Sequence, residues 1–309
     1  MSTIGEQPMM RRLHRFLRRN GFLLLFLTPL VVTVTLFLVY PVIKAGVMSF
    51  QHWHLTRHHP DGHPFVGLAN FRAVFQSPGF WSSLRITAEY IVVTVAARYV
   101  LGLIAALLLN EDFKGRGLFR VLIIIPWAIP VVVACLVWIL MFDYQYGIIN
   151  HILETIGFLS SPIAYLGDVR AALPAAMVVN IWKGFPWVAI MLLAGLQTIP
   201  VGLYEAAVLD GASAWKKFRH VTLPMLRPVS AVVFLLLVVW TVKDFAILYV
   251  LTGGGPANST ELLTVYVYKS AFKFFRMGEA AAGGVVLLLI SLFFTIIYLK
   301  VSRGDEASW

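Results

Sequence analysis

Six long apolar runs constrain this chain more than any other feature. A helix needs roughly 20 mainly apolar residues, rising ~1.5 Å each, to cross ~30 Å of bilayer hydrocarbon. The runs are Asn20 to Ile43, Ile86 to Leu109, Val121 to Phe142, Ala171 to Leu196, Val229 to Leu251 and Ala280 to Leu299. Three carry no charge, the second holds Glu89 and Arg98, the fourth only Lys183, and the fifth Lys243 and Asp244. Inside lipid the backbone must satisfy its own hydrogen bonds, which a helix does within one segment. The expected fold is all-α: a polytopic membrane protein with six transmembrane helices. Composition agrees, since hydrophobic residues reach 59% and charged ones only 13%, about half the ~25% of soluble domains.

The formal charge of +10 would suit nucleic acid if the basic residues lined one polar face. Here they punctuate apolar runs, so they orient the chain in a membrane and imply no nucleic-acid partner. With the N-terminus inside, fourteen lysines and arginines fall on the cytosolic side and eight outside. Both termini are therefore expected in the cytosol. The organisation is a basic N-terminal segment (1–19), a six-helix domain (20–299) and a short cytosolic tail (300–309). The first apolar run follows five arginines, as in a signal peptide, but it is longer than such a core and lacks a small-residue cleavage site. It reads as a retained anchor. The single cysteine, Cys135, excludes an internal disulfide and a cysteine metal cluster. His52, His54, His58, His59 and His63 have a spacing zinc can use, but they read as solvated loop residues, and no metal site is expected.

The connection between the fourth and fifth runs, residues 197–228, is the most informative stretch. Pro200 and Pro224 bracket a helical segment, because proline starts helices and stops their continuation. Gly211 follows a short helical run, and glycine there permits a left-handed turn, so that a second short helix leaves at an angle. Ser213 is placed to cap that second helix. Trp215 and Phe218 sit three apart, on one face. The expected product is a compact helix–turn–helix knob with two aromatic side chains and a basic rim. A loop lying on anionic lipid is the alternative.

These residues, Glu205-Ala206-Ala207, Asp210-Gly211-Ala212 and Leu223-Pro224, carry a resemblance to the permease subunits of binding-protein-dependent ABC importers, carbohydrate-type, maltose and glycerol-phosphate permeases among them. The resemblance extends along nearly the whole chain through Tyr40-Pro41, Gly67 to Phe71, Gly147 with Asn150, Ala194 to Gln197 and Thr252 to Pro256. It implies that the knob is a coupling loop docked on a separate cytosolic ATPase. Glu205, Ala206, Gly211 and Pro224 take the hallmark positions, and Ala207, Asp210, Ala212 and Leu223 match its longer form. Trp215, Lys217 and Phe218 are added on their own chemistry. The implied partners are a second homologous permease, two ATPase subunits that bind ATP and Mg, an extracytoplasmic solute-binding protein, membrane lipid and a sugar or polyol. No cofactor is expected in this chain. Many relatives have an acid after the phenylalanine of the fifth run, whereas Phe245 here is followed by Ala246.

A phosphate-binding loop needs G-x-x-x-x-G-K-[ST], and the residues before Lys269-Ser270 lack its glycines. The chain is thus expected to be a transport subunit and not an enzyme. Lys183 lies mid-span, where a charge costs ~2.5–3.5 kcal/mol on insertion scales. Gly184 and Pro186 follow and are expected to interrupt the helix. Two readings stand: Asn180, Trp182, Lys183, Phe185 and Trp187 wall a sugar path, or the tryptophans pack and Lys183 pairs with a carboxylate of a partner subunit. Trp240, Lys243 and Asp244 form a second polar cluster and a further candidate for substrate contact. Glu89 and Arg98, about 900° of helical rotation apart, face opposite ways and are assigned structural partners elsewhere. No dedicated anion site is evident. The rivals are an ion-coupled secondary transporter, a membrane enzyme, and an importer of glycerol phosphate or another non-sugar solute.

Overall fold

The computed structural model describes residue 22, residues 25–56, residue 60 and residues 62–306. The basic segment 1–19, and His58 and His59, lie outside the described residues. Among the described residues the chain is helical, with two isolated β-bridges and no strand. Four helices are long and apolar enough to span a bilayer alone, and two bent pairs raise the number to six.

Helix α1 (Leu25–Met48) has none of its most apolar window buried within the chain. A short α2 (Ala69–Gln76) follows the first extramembrane loop. Asn70 holds that loop in place, its Nδ2 donating to the carbonyls of Ser49 and Gln51, both at 2.9 Å. Pro78 then opens α3 (Pro78–Asn110), a 33-residue rod.

The third run does not form one straight span. It divides into α4 (Arg116–Ala128) and α5 (Val131–Met141), bent by 91°. Pro130 supplies no N–H, and the residue before a proline is pushed out of helical geometry. Ile129 accordingly sits at φ −64°, ψ 132°. After α6 (Ile148–Thr155), α7 (Ala172–Gln197) runs unbroken through Gly184 and Pro186. The expected interruption is absent, since membrane helices tolerate proline where neighbours hold them, and half of the apolar window of α7 is buried.

Helices α3 and α7 make the most extensive pairing in the chain. Gly102 permits it: a β-carbon there would fall 2.6 Å from the Cβ and Cγ1 of Val188. Small residues of this kind let membrane helices approach backbone to backbone. Around the crossing lies a buried cluster including Val95, Ala106, Val188, Leu192, Leu196 and Leu237. A second cluster near the other end gathers Tyr90, Cys135, Trp138, Phe142, Leu248 and Leu262.

Beyond α7 come α8 (Val201–Leu209) and α9 (Ala214–Met225), the latter with a π-helical stretch at Phe218–Thr222. Pro224 does not end that helix, as expected from the sequence, but sits in its last turn. The turn comes at Leu226, ahead of α10 (Arg227–Val242), bent by 66° from α9. The fifth run is also broken. Its helix stops at Val242 and resumes as α11 (Ala246–Thr252). The Asp244 carbonyl at this break accepts from Thr264 Oγ1 at 2.6 Å. Helix α12 (Leu263–Tyr268) and the long α13 (Met277–Glu306) complete the chain. The segment expected as a tail from residue 300 is therefore helical as far as Glu306.

Candidate functional site

Two features stand out, one inside the bundle and one at its end. The first is a cavity of about 220 Å³ among α3, α4, α7, α10 and α11. Arg98, Trp127, Asn180, Lys183, Trp187, Trp240, Thr241 and Asp244 line it. Phe185 does not line it, but five of the other seven residues picked from the sequence as substrate contacts share this one cavity, although they come from two separate runs. The T-shaped pair Trp187 and Trp240, with ring centroids 4.7 Å apart, joins α7 to α10.

The other two stand apart. Trp182 turns away and packs edge-on to Trp138, ring centroids 5.5 Å apart, beside the buried cluster. Lys243 is exposed and does not line the cavity. Both polar residues fall in the break after Val242, where Asp244 turns inward and Lys243 does not.

A polar network runs along the cavity wall. The Asp244 carboxylate accepts from Tyr90 Oη at 2.9 Å and from Asn180 Nδ2 at 2.7 Å, both at Oδ2. Arg98, only 8% exposed, donates from Nε to the Asn180 carbonyl at 3.1 Å. Gly184 makes room for it, because a β-carbon there would come 2.3 Å from Arg98 Nε. Glu89 is exposed and Arg98 buried, so the two do point apart. Sequence reasoning missed that Arg98 belongs to the site: the rotation separates two faces without saying which turns inward. Trp127 was missed as well, and its place depends on the bend at Pro130.

Lys183 lines the cavity and also has a task within the chain that the sequence did not suggest. Its three N–H donors go to the carbonyls of Pro126 at 3.3 Å, Trp127 at 3.2 Å and Ile129, the nearest of the three. The last turn of any helix leaves carbonyls without intrahelical partners, and the proline bend forbids α4 from continuing. A cation at that end also suits the helix dipole. Lys183 therefore caps α4 from across the bundle.

The second feature is the knob of α8 and α9. Gly211 adopts φ +71°, and the amides of Gly211 and Ala212 donate to the carbonyls of Val208 at 3.0 Å and Ala207 at 2.9 Å. This double bond pattern closes the end of α8 and reverses the chain. Ser213 Oγ accepts from the Lys216 amide at 3.4 Å and caps α9. Tyr204 Oη and Thr222 Oγ1, 3.0 Å apart, tie the two helices together. Glu205, Ala206, Asp210 and Leu223 are exposed, while Ala207, Ala212, Lys217, Phe218 and Pro224 are half-buried. Leu209 is 88% and Trp215 66% exposed, and the Trp215 and Phe218 rings lie 5.5 Å apart. Exposed apolar residues gathered at one tip are the kind of surface that meets a protein partner or a membrane.

Residues 98–304 match the family described as the binding-protein-dependent transport system inner membrane component. The chain is 40% identical over 282 residues to the trehalose/maltose transport system permease protein MalF of Thermococcus litoralis, covering 90% of this chain and 92% of that protein. It is 36% identical over 282 residues to the sulfoquinovosyl glycerol transport system permease protein SmoG of Agrobacterium fabrum, covering 91% and 90%. In fold it is similar to a chain of a bacterial ABC transporter involved in the import of the acidic polysaccharide alginate. There the TM-score is 0.82 at 24% identity, over 94% of this chain and 98% of that one.

Proposed function

The chain belongs to the binding-protein-dependent transport system inner membrane component family, and on that premise we propose that it forms the translocation path of an ATP-driven importer for a sugar or related polyol. It is a multi-pass membrane subunit whose work is transport and not catalysis. Both of the relatives named above are permeases for saccharides or their glycerol conjugates. The cavity chemistry supports the same class. Tryptophan faces cover the apolar C–H patches of a sugar ring, and Asn180, Asp244 and Thr241 offer partners for its hydroxyls.

The observation that carries the reading is the knob: a closed two-helix turn presenting Leu209 and Trp215 to its surroundings. In this reading it lies on the cytosolic face of a bacterial or archaeal inner membrane, with both chain termini on the same side. It sits in a cleft of one of two ATPase subunits, which hold ATP and Mg. A second homologous permease completes the membrane pathway, and an extracytoplasmic binding protein delivers the solute. Closure of the ATPase pair pulls on the knob. Because only Thr198, Ile199 and Pro200 separate α7 from α8, the pull passes directly into the helix that carries Asn180, Lys183 and Trp187. Access to the cavity then alternates between the two sides.

The test is Gly211→Asp. A β-carbon at Gly211 meets no atom within 4 Å, so the penalty inside the subunit is the left-handed backbone, ~1–2 kcal/mol. The variant should insert and fold, yet fail to copurify with its ATPase and fail to support uptake. Normal assembly and uptake in this variant would remove the coupling role.

A further inference from the structure

We propose that Arg98 selects an acidic solute: the saccharide or polyol carries a carboxylate, sulfonate or phosphate that docks on the free edge of this guanidinium. The inference rests on the import reading above and narrows its substrate class.

Arg98 is buried and permanently charged, yet of its five N–H donors only the one on Nε has an acceptor. Its two terminal nitrogens have no partner among the described residues, and the side chain lines the central cavity. A buried guanidinium without matched acceptors is strongly destabilising, so such groups are normally paired. The one carboxylate in the lining does not pair with it. Asp244 Oδ2 is taken by Tyr90 and Asn180, and no ion pair joins Asp244 to Arg98. Nor does the second cation relieve the imbalance, because Lys183 is committed to three carbonyls. The lining thus holds two cations against one carboxylate.

A neutral sugar would accept hydrogen bonds from Arg98 but add no negative charge to that of Asp244, which acts on Arg98 without forming an ion pair with it. The guanidinium fork matches an oxyanion through two parallel bonds, which supplies both charge and geometry. The rest of the ligand follows from the lining: an acid on Arg98 with a ring against Trp187 and Trp240 describes an acidic sugar.

The experiment measures binding to the intact permease–ATPase complex in lipid nanodiscs, with neutral and acidic probes in matched pairs. Suitable pairs are glucose with glucuronate, glucose with glucose 6-phosphate, maltose with maltobionate, and glycerol with glycerol 3-phosphate. In at least one pair the acid should bind tenfold or more tightly than its neutral counterpart. Arg98→Gln should abolish that preference, the acid losing far more affinity than its neutral partner, while Arg98→Lys should keep part of it. Should Arg98→Gln not fold, the wild-type preference and Arg98→Lys decide the matter. Neutral members binding as tightly as the acids in every pair, or an acid preference that survives Arg98→Gln, overturns the proposal. If neutral sugars bind and are imported without any acid preference, the importer reading survives and only this inference falls. If no probe of either kind is bound or imported, both fall.

Discussion

Replacing Gly102 with alanine tests the packing on which the cavity depends. The new β-carbon would stand 2.6 Å from the Cβ and Cγ1 of Val188 and 3.1 Å from the backbone nitrogen of Ala189. Carbon atoms prefer ~3.5–4.0 Å, so α3 and α7 must separate by about 1 Å. No rotamer of Val188 relieves the clash, because its Cβ is fixed to the backbone. Overpacking of this kind destabilises by ~1–3 kcal/mol, and the better helix propensity of alanine returns ~1 kcal/mol. The net is a loss of roughly 0–2 kcal/mol, towards the upper end here because the clash is with a Cβ that cannot rotate away. Cys135 is the sole cysteine and fully buried, so a thiol-reactive fluorescent dye reports thermal unfolding of the purified protein. Gly102→Ala should melt several degrees below wild type. Gly117→Ala, also helical but with open space around its β-carbon, should melt at or above it. Adding Val188→Ala to Gly102→Ala should rescue only in part, because Cγ1 is removed but Cβ remains, whereas Val188→Gly should restore more of the loss. A Gly102→Ala protein as stable as wild type, or full rescue by Val188→Ala, would refute this reasoning.

Lys183→Met should lower the melting temperature in the same assay, because charge-assisted hydrogen bonds contribute ~1.5–3 kcal/mol each and three carbonyls lose their donor. An unchanged melting curve would show that water serves those carbonyls equally well. Asn70→Ala strands the carbonyls of Ser49 and Gln51, worth ~1–3 kcal/mol locally. It should speed protease cleavage between residues 49 and 68 while the dye-detected melting of the bundle barely moves. Trp215→Ala should leave melting unchanged, given the exposure of the ring, but weaken copurification with the ATPase by tenfold or more.

The sequence made the membrane character and the knob readable, because both rest on local signals. Hydropathy over roughly 20 residues reports a span, and Gly211 with Ser213 reports a turn followed by a capped helix. The bends were less legible. Pro126 and Pro130 lie in a run apolar enough to pass for one straight helix, and hydropathy is blind to direction. Pro186 shows the reverse, a proline that packing against α3 holds within a continuous helix. The interior face of each span was hidden for a related reason. A helix apolar all round has no polar stripe to mark what faces inward, so the sequence did not decide between packing and lining for Trp182, nor name the partner of Arg98. Asp244 was placed on a helix face, when the chain breaks at that residue and re-aims it.

The cap that Lys183 places on α4 has a consequence for biosynthesis. The carbonyl of Pro126 waits for a donor 57 residues further along the chain. Ribosomes add about 5–20 residues per second, so the interval is on the order of 3–11 s. During that time the bent α4–α5 segment has entered the insertion machinery with its C-terminal acceptors unserved, which hydrocarbon does not tolerate. Until α7 emerges, those acceptors need donors from elsewhere, and water is the nearest source.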